Sequence, residues 1–158
     1  MGREIVIAWA GRHRRDSWET LCAGYRRKIE RFLPIHDLPL RVPERGSERD
    51  RLKAEAEALL AALPERRWLV ALDEKGKARS SRDLARWWRK LAQRWPHPVA
   101  FVLGSDLGLD PGLVAAADER LSLGPMTLPH ELARLLIYEQ IYRALSIGAG
   151  IKYHRGPL

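Results

Sequence analysis

The residues with the clearest capacity for chemistry lie in the last third of the chain. Gly104-Ser105-Asp106-Leu107-Gly108 follows an apolar run, and Leu123-Gly124-Pro125-Met126-Thr127-Leu128 follows another. In an open α/β sheet, turns of this kind sit at the carboxyl ends of strands, where ligands bind. Glycine there lets a ligand approach the backbone, although a tight turn alone would also place it. Unpaired N–H groups at the start of the helix after Thr127 can hold a polar ligand. Two such turns side by side suit a flat heterocycle such as adenine. Beyond the last helix, Tyr153-His154-Arg155 combines an aromatic ring, an imidazole and a guanidinium, a set suited to stacking on a base and pairing with phosphate. The loop Arg12-His13-Arg14-Arg15 offers a second phosphate-facing set, next to Arg26, Arg27, Lys28 and Arg31. His130, in a first helical turn, reads as a positioning residue.

Other chemistries find no support. The first strand runs into Ala-Gly-Arg-His-Arg-Arg, which is not the Gly-x-Gly-x-x-Gly of dinucleotide binding. No Gly-x-Ser-x-Gly elbow and no Walker loop occurs. The histidines lack His-x-x-x-His spacing and one cysteine cannot build a thiolate site, so no metal is expected. Cys22 reads as a buried structural thiol.

The elements that must position these residues follow from the pattern. With 158 residues, 46% hydrophobic and 30% charged, the chain suits one domain, taken as 1–158. Its net charge of +8 favours a polyanionic partner, with nucleic acid foremost. No apolar run suits a membrane span and no signal-peptide core is evident, so a cytoplasmic protein is expected. Strands are predicted at 4–9, 35–42 (an edge, given Pro39), 68–72, 99–103 and 120–123. Residues 73–77 read as a turn. Helices are predicted from Asp16 or Ser17 to Phe32, over 48–63 behind Ser47, from Ser80 or Ser81 to Trp95, over 111–117 behind Asp110, and from Thr127 to Ile147. In the first, Trp18, Leu21, Cys22, Tyr25, Ile29 and Phe32 share one face. The last is apolar around much of its circumference, which fits either a core helix or a subunit interface. Alternating strands and helices predict an α/β fold: a parallel-dominated sheet with helices on both faces.

Leu72-Asp73-Glu74-Lys75-Gly76-Lys77, Phe101-Val102-Leu103-Gly104, Met126-Thr127-Leu128-Pro129-His130-Glu131-Leu132-Ala133-Arg134 and Tyr153-His154-Arg155 together resemble the RlmH family, the ribosomal large-subunit pseudouridine N3-methyltransferases of the SPOUT superfamily. The resemblance spans essentially the whole chain. It implies a trefoil knot in the carboxyl-terminal part, S-adenosyl-L-methionine as cofactor, a homodimer, and methylation of a pseudouridine in 23S rRNA on the assembled ribosome. By position it implies cofactor contacts at Leu72, Gly104, Leu123, Gly124, Pro125, Met126, Thr127 and Leu128, and catalytic roles for Tyr153, His154 and Arg155. Arg12, His13, Arg14 and Arg15 remain the candidates for RNA contact. Ser105 stands where the family usually has a second glycine. The alternative reading is a non-catalytic ribosome- or RNA-binding protein using the same basic surface.

Overall fold

The computed structural model describes residues 2–11 and 16–153. Five strands form one sheet in the order β2-β1-β4-β3-β5, and every pairing within it is parallel. In chain order they are β1 (Ile5–Ala10), β2 (Ile35–Leu40), β3 (Trp68–Ala78), β4 (Val99–Leu103) and β5 (Glu119–Ser122). The helices are α1 (Ser17–Ile29), α2 (Glu48–Ala62), α3 (Ser81–Arg94), α4 (Pro111–Ala116) and α5 (His130–Gly148).

Alternation along the strands divides the core in two. Ile5, Ile7, Trp9, Val70, Val99, Phe101 and Leu103 pack under α1, α3 and α5. Val6, Ala8, Leu69, Ala71, Ala100 and Val102 pack under α2 and α4. Successive side chains point to opposite faces, so an unbroken apolar run such as Val99–Leu103 is what a strand covered on both sides requires. All five of its residues are buried.

Local signals start the helices where expected. Asp16 accepts from the Glu19 N–H, Ser80 from Asp83, and Asp110 from Gly112 and Leu113. Ser47 and Asp50 form a reciprocal capping box before α2.

The structure corrects four expectations. Helix α1 stops at Ile29 rather than at about Phe32, because the chain tightens there: the Arg31 and Phe32 N–H groups bond the Lys28 and Ile29 carbonyls three residues back. Its apolar face is only partly covered: Cys22 and Ile29 are buried, while Trp18 and Leu21 remain exposed. Residues 73–77 are not a terminal turn. Strand β3 bulges between Leu72 and Lys77, then pairs again with β5. Gly76 permits this, since a Cβ there would lie 2.7 Å from the Arg120 carbonyl carbon. Finally, α5 begins at His130, and Thr127 does not cap it. Pro129 occupies the cap position and supplies no side-chain hydrogen bond. Helix α5 is a core helix packed between α1 and α3, burying Ile137, Tyr138, Ile141, Ala144 and Leu145.

Candidate active site

A cleft of about 700 Å³ opens at the carboxyl ends of β3, β4 and β5. The turn after β4 forms one wall. Its loop closes on itself: Ser105 and Gly108 form an antiparallel bridge, and the Gly108 N–H donates to the Ser105 carbonyl at 2.9 Å. Gly108 has φ +81°, a conformation that favours glycine. The turn after β5 forms the opposite wall. The buried Ser122 hydroxyl bonds to the Glu74 and Gly124 carbonyls and accepts from the Gly124 N–H, tying this turn to the β3 bulge. The amino end of α5 closes the cleft, and its first-turn N–H groups have no side-chain cap.

Leu72, Gly104, Leu123, Gly124, Met126, Thr127 and Leu128 all line this cleft. Pro125 does not reach the wall and is exposed. Gly104 has a second role beside the one its sequence position suggests. A Cβ there would come within 2.5 Å of the Gly108 carbonyl carbon, so the loop's own closure, rather than ligand access alone, demands glycine. Leu107, Leu109, Val114 and Leu121 add apolar wall, and Asp73, Glu74 and Asp106 add carboxylates at the rim. His130 lines the same cleft and pairs with Glu131 at 3.1 Å.

Tyr153 lies elsewhere. Its hydroxyl donates to Glu139 Oε1 at 3.2 Å, its ring meets Tyr142 edge-on, and Arg143 covers it at 4.8 Å. Burial, then the Tyr25 hydroxyl and the Glu139 carboxylate, push its phenol well above the usual range. The tyrosine therefore stays protonated and serves as an anchor. His154 and Arg155 lie outside the described residues, as do Arg12, His13, Arg14 and Arg15. Among the neighbouring cations, Arg26 does not face solvent phosphate. It pairs with Asp37 and with Glu19, the latter at 3.0 Å.

That pairing belongs to a cluster that sequence reasoning missed. Arg134 on α5 bonds Glu19 at 2.8 Å and Asp37 at 2.9 Å, and its guanidinium lies 4.0 Å from the Trp9 ring centroid. Burial pushes the Asp37 carboxyl above its ordinary value despite both arginines. Burial also pushes the Cys22 thiol beneath the cluster to about 11. The one sequence cue was a charged residue inside the apolar pattern of α5.

Among the described residues, no group of three or more His, Cys, Asp or Glu side chains is placed to hold a metal ion, and no helix is long and apolar enough to cross a membrane.

A parallel α/β sheet with a ligand cleft between two glycine turns and the amino end of the last helix is the frame of a SPOUT-type enzyme. The chain belongs to the SPOUT methyltransferase family: the family model described as "Predicted SPOUT methyltransferase" matches residues 3–154. It is 42% identical over 152 residues to the ribosomal RNA large subunit methyltransferase H of Solidesulfovibrio magneticus, covering 96% of this chain and 99% of that one. The protein of the same name from Rubrobacter xylanophilus is 40% identical, over 98% and 99% of the two chains. Among solved structures, a putative methylase family protein from Neisseria gonorrhoeae shares the fold with a TM-score of 0.53 at 14% identity, over 99% of this chain and 88% of that one.

Proposed function

We propose that this chain, acting as one domain, transfers the methyl group of S-adenosyl-L-methionine to N3 of a pseudouridine in 23S rRNA on the assembled ribosome, as a cytoplasmic homodimer. The observation that carries the reading is the cleft itself, in a chain whose relatives bear the name of large-subunit rRNA methyltransferases. That family disfavours a purely binding role.

The residues present fit the cofactor. Leu72, Leu107, Leu121 and Leu123 offer an apolar slot for a flat adenine. The uncapped first turn of α5 suits a carboxylate, and Asp73 and Glu74 suit an ammonium. When bound, the cofactor supplies an electrophilic methyl on a sulfonium centre. The protein must align it with N3 and accept the N3 proton. A neutral His154 suits the second task. A cationic Arg155 suits stabilisation of the developing anion.

The anchoring of Tyr153 supports a site shared between subunits. The Ile151 N–H bonds the Ser146 carbonyl, so the tail starts at the carboxyl end of α5. Tyr153 is held against Glu139, Tyr142 and Arg143, on a flank of α5 outside the cleft, and we assign His154 and Arg155 to the partner's cleft. We carry the family's trefoil knot to this chain in the same proposal. Membership of the SPOUT methyltransferase family supports it.

Complementation tests the arrangement. His154→Ala should bind cofactor normally and lose methyl transfer. Ala133→Phe, which places a ring in the cleft, should lose cofactor binding by calorimetry. Mixed subunits should regain activity once exchange is verified. Wild-type protein that transfers no methyl to ribosomes bearing an unmethylated pseudouridine would refute the function, and mixed subunits that exchange without recovery would refute the shared site.

A further inference from the structure

A second cleft, of about 810 Å³, lies across the loop after β4. Leu103, Gly104, Ser105, Asp106 and His130 line both clefts. A molecule in the second cleft therefore sits directly beside the cofactor cleft, as a methyl acceptor must. On its α2 side stands Glu55, 9% exposed. Among the described residues, Glu55 has one hydrogen-bond partner: the Ser105 hydroxyl donates to Oε2 at 2.9 Å. A carboxylate offers about four acceptor positions, and Glu55 Oε1, which has no partner among those residues and is not fully buried, is left to accept from a molecule in the cleft. The packing of α2 does not need it, since Ala56, Leu59 and Leu63 fill the core there. The same cleft carries the Trp18 indole, 36% exposed, and Arg41, exposed at its mouth. An exposed aromatic, an outer guanidinium and an inner hydrogen-bonding group are the parts of a pocket for an unstacked RNA nucleotide.

We propose, building on the function given above, that this cleft takes the target nucleotide and that Glu55 selects pseudouridine over uridine. The two isomers present the same O2, N3–H and O4 edge. They differ at one position, where pseudouridine carries N1–H and uridine carries C5–H. A carboxyl oxygen accepts hydrogen bonds, so Glu55 reads that N1–H while N3 is presented at the shared wall. With uridine bound, the free oxygen of the carboxylate faces a C–H and gains no donor beyond Ser105, while the ring displaces water from it, the situation in which discrimination is strongest. The Trp18 ring stacks on either isomer, and Arg41 pairs with phosphate irrespective of the base.

The test measures methyl transfer to two ribosome preparations, one with pseudouridine at the target position and one with uridine there. Wild type should favour pseudouridine. Glu55→Ala should lower kcat/KM on pseudouridine roughly 100-fold, and on uridine by less than about tenfold, so that the preference shrinks by at least about tenfold. Cofactor affinity by calorimetry should stay within about twofold of wild type. Trp18→Ala should lower both substrates equally, because stacking does not distinguish the isomers. If Glu55→Ala melts below assay temperature, the isosteric Glu55→Gln serves, with the same direction and a smaller loss. A preference that survives, a loss equal on both substrates, or a Glu55 variant or Trp18→Ala that becomes monomeric would overturn the inference, the last making the cleft a subunit contact. Wild-type protein that methylates neither preparation would overturn the underlying function and the inference with it.

Discussion

Replacing Arg134 by alanine tests whether the buried cluster between α1, β2 and α5 is a structural keystone. The substitution strips two carboxylates, Glu19 and Asp37, of one of the two guanidiniums they share. Their side chains are 12% and 9% exposed, so water cannot replace it. Breaking a buried pair costs about 3–5 kcal/mol, and Arg26 remains, which favours about 3. Losing the guanidinium over Trp9 adds about 1 kcal/mol. A chain of this length has an unfolding entropy near 0.33 kcal/mol per kelvin at its midpoint, so about 4 kcal/mol lowers Tm by about 12 °C. Calorimetry or circular dichroism at pH 7 reads the shift. The pH dependence follows in sign. The folded Asp37 carboxyl lies above its unfolded value, so the folded chain takes up its proton first as pH falls, and removing Arg134 raises that carboxyl further. Stability lost at pH 7 is therefore partly recovered as pH falls toward the folded Asp37 value, and the gap to wild type narrows. A fall in Tm under about 4 °C, or a gap that widens toward acid, would refute the reasoning.

Two further outcomes follow from the same geometry. Gly104→Ala should cost both cofactor binding and stability, because its Cβ meets the Gly108 backbone rather than only the ligand. A variant with wild-type Tm and no cofactor affinity would return Gly104 to a pure binding role. Cys22, with its thiol near 11, should resist Ellman's reagent in the native state at pH 8 and react once the chain is unfolded in denaturant. Complete native-state labelling within minutes would show the α1 packing to be wrong.

What the sequence made legible was local. The run Val99–Leu103 announces a strand buried on both faces, and Asp110-Pro111, Ser47 and Ser80 announce helix starts. The resemblance named eight residues as one set, and the structure gathers seven of them into one cleft. What escaped were contacts set by tertiary packing. Glu19 and Arg134 are 115 positions apart, and nothing in either neighbourhood points to the other. Asp73-Glu74-Lys75-Gly76-Lys77 has the composition of a turn, and residues 73–76 do leave the ladder as a bulge, yet Lys77 and Ala78 pair again with β5, so tertiary context extended the strand past the local signal. Glu55 reads in sequence as one more polar residue of an Ala-Glu-Leu helix, and only the fold sets Ser105, 50 positions away, against it.

Pro39 has a consequence for assembly. The Leu40 carbonyl accepts from the Gly11 N–H at 2.7 Å, so Leu40 faces β1 and its neighbour Pro39 faces outward along the free border of β2. Proline has no N–H, so that border lacks a donor in mid-strand. The opposite border, β5, is four residues long. Neither rim can template another strand. Two copies of this chain thus have no route to a continuous ten-stranded sheet. A pair of copies would have to meet flank to flank, through helices, where the greasy side chain of Leu21 on α1 is already turned outward.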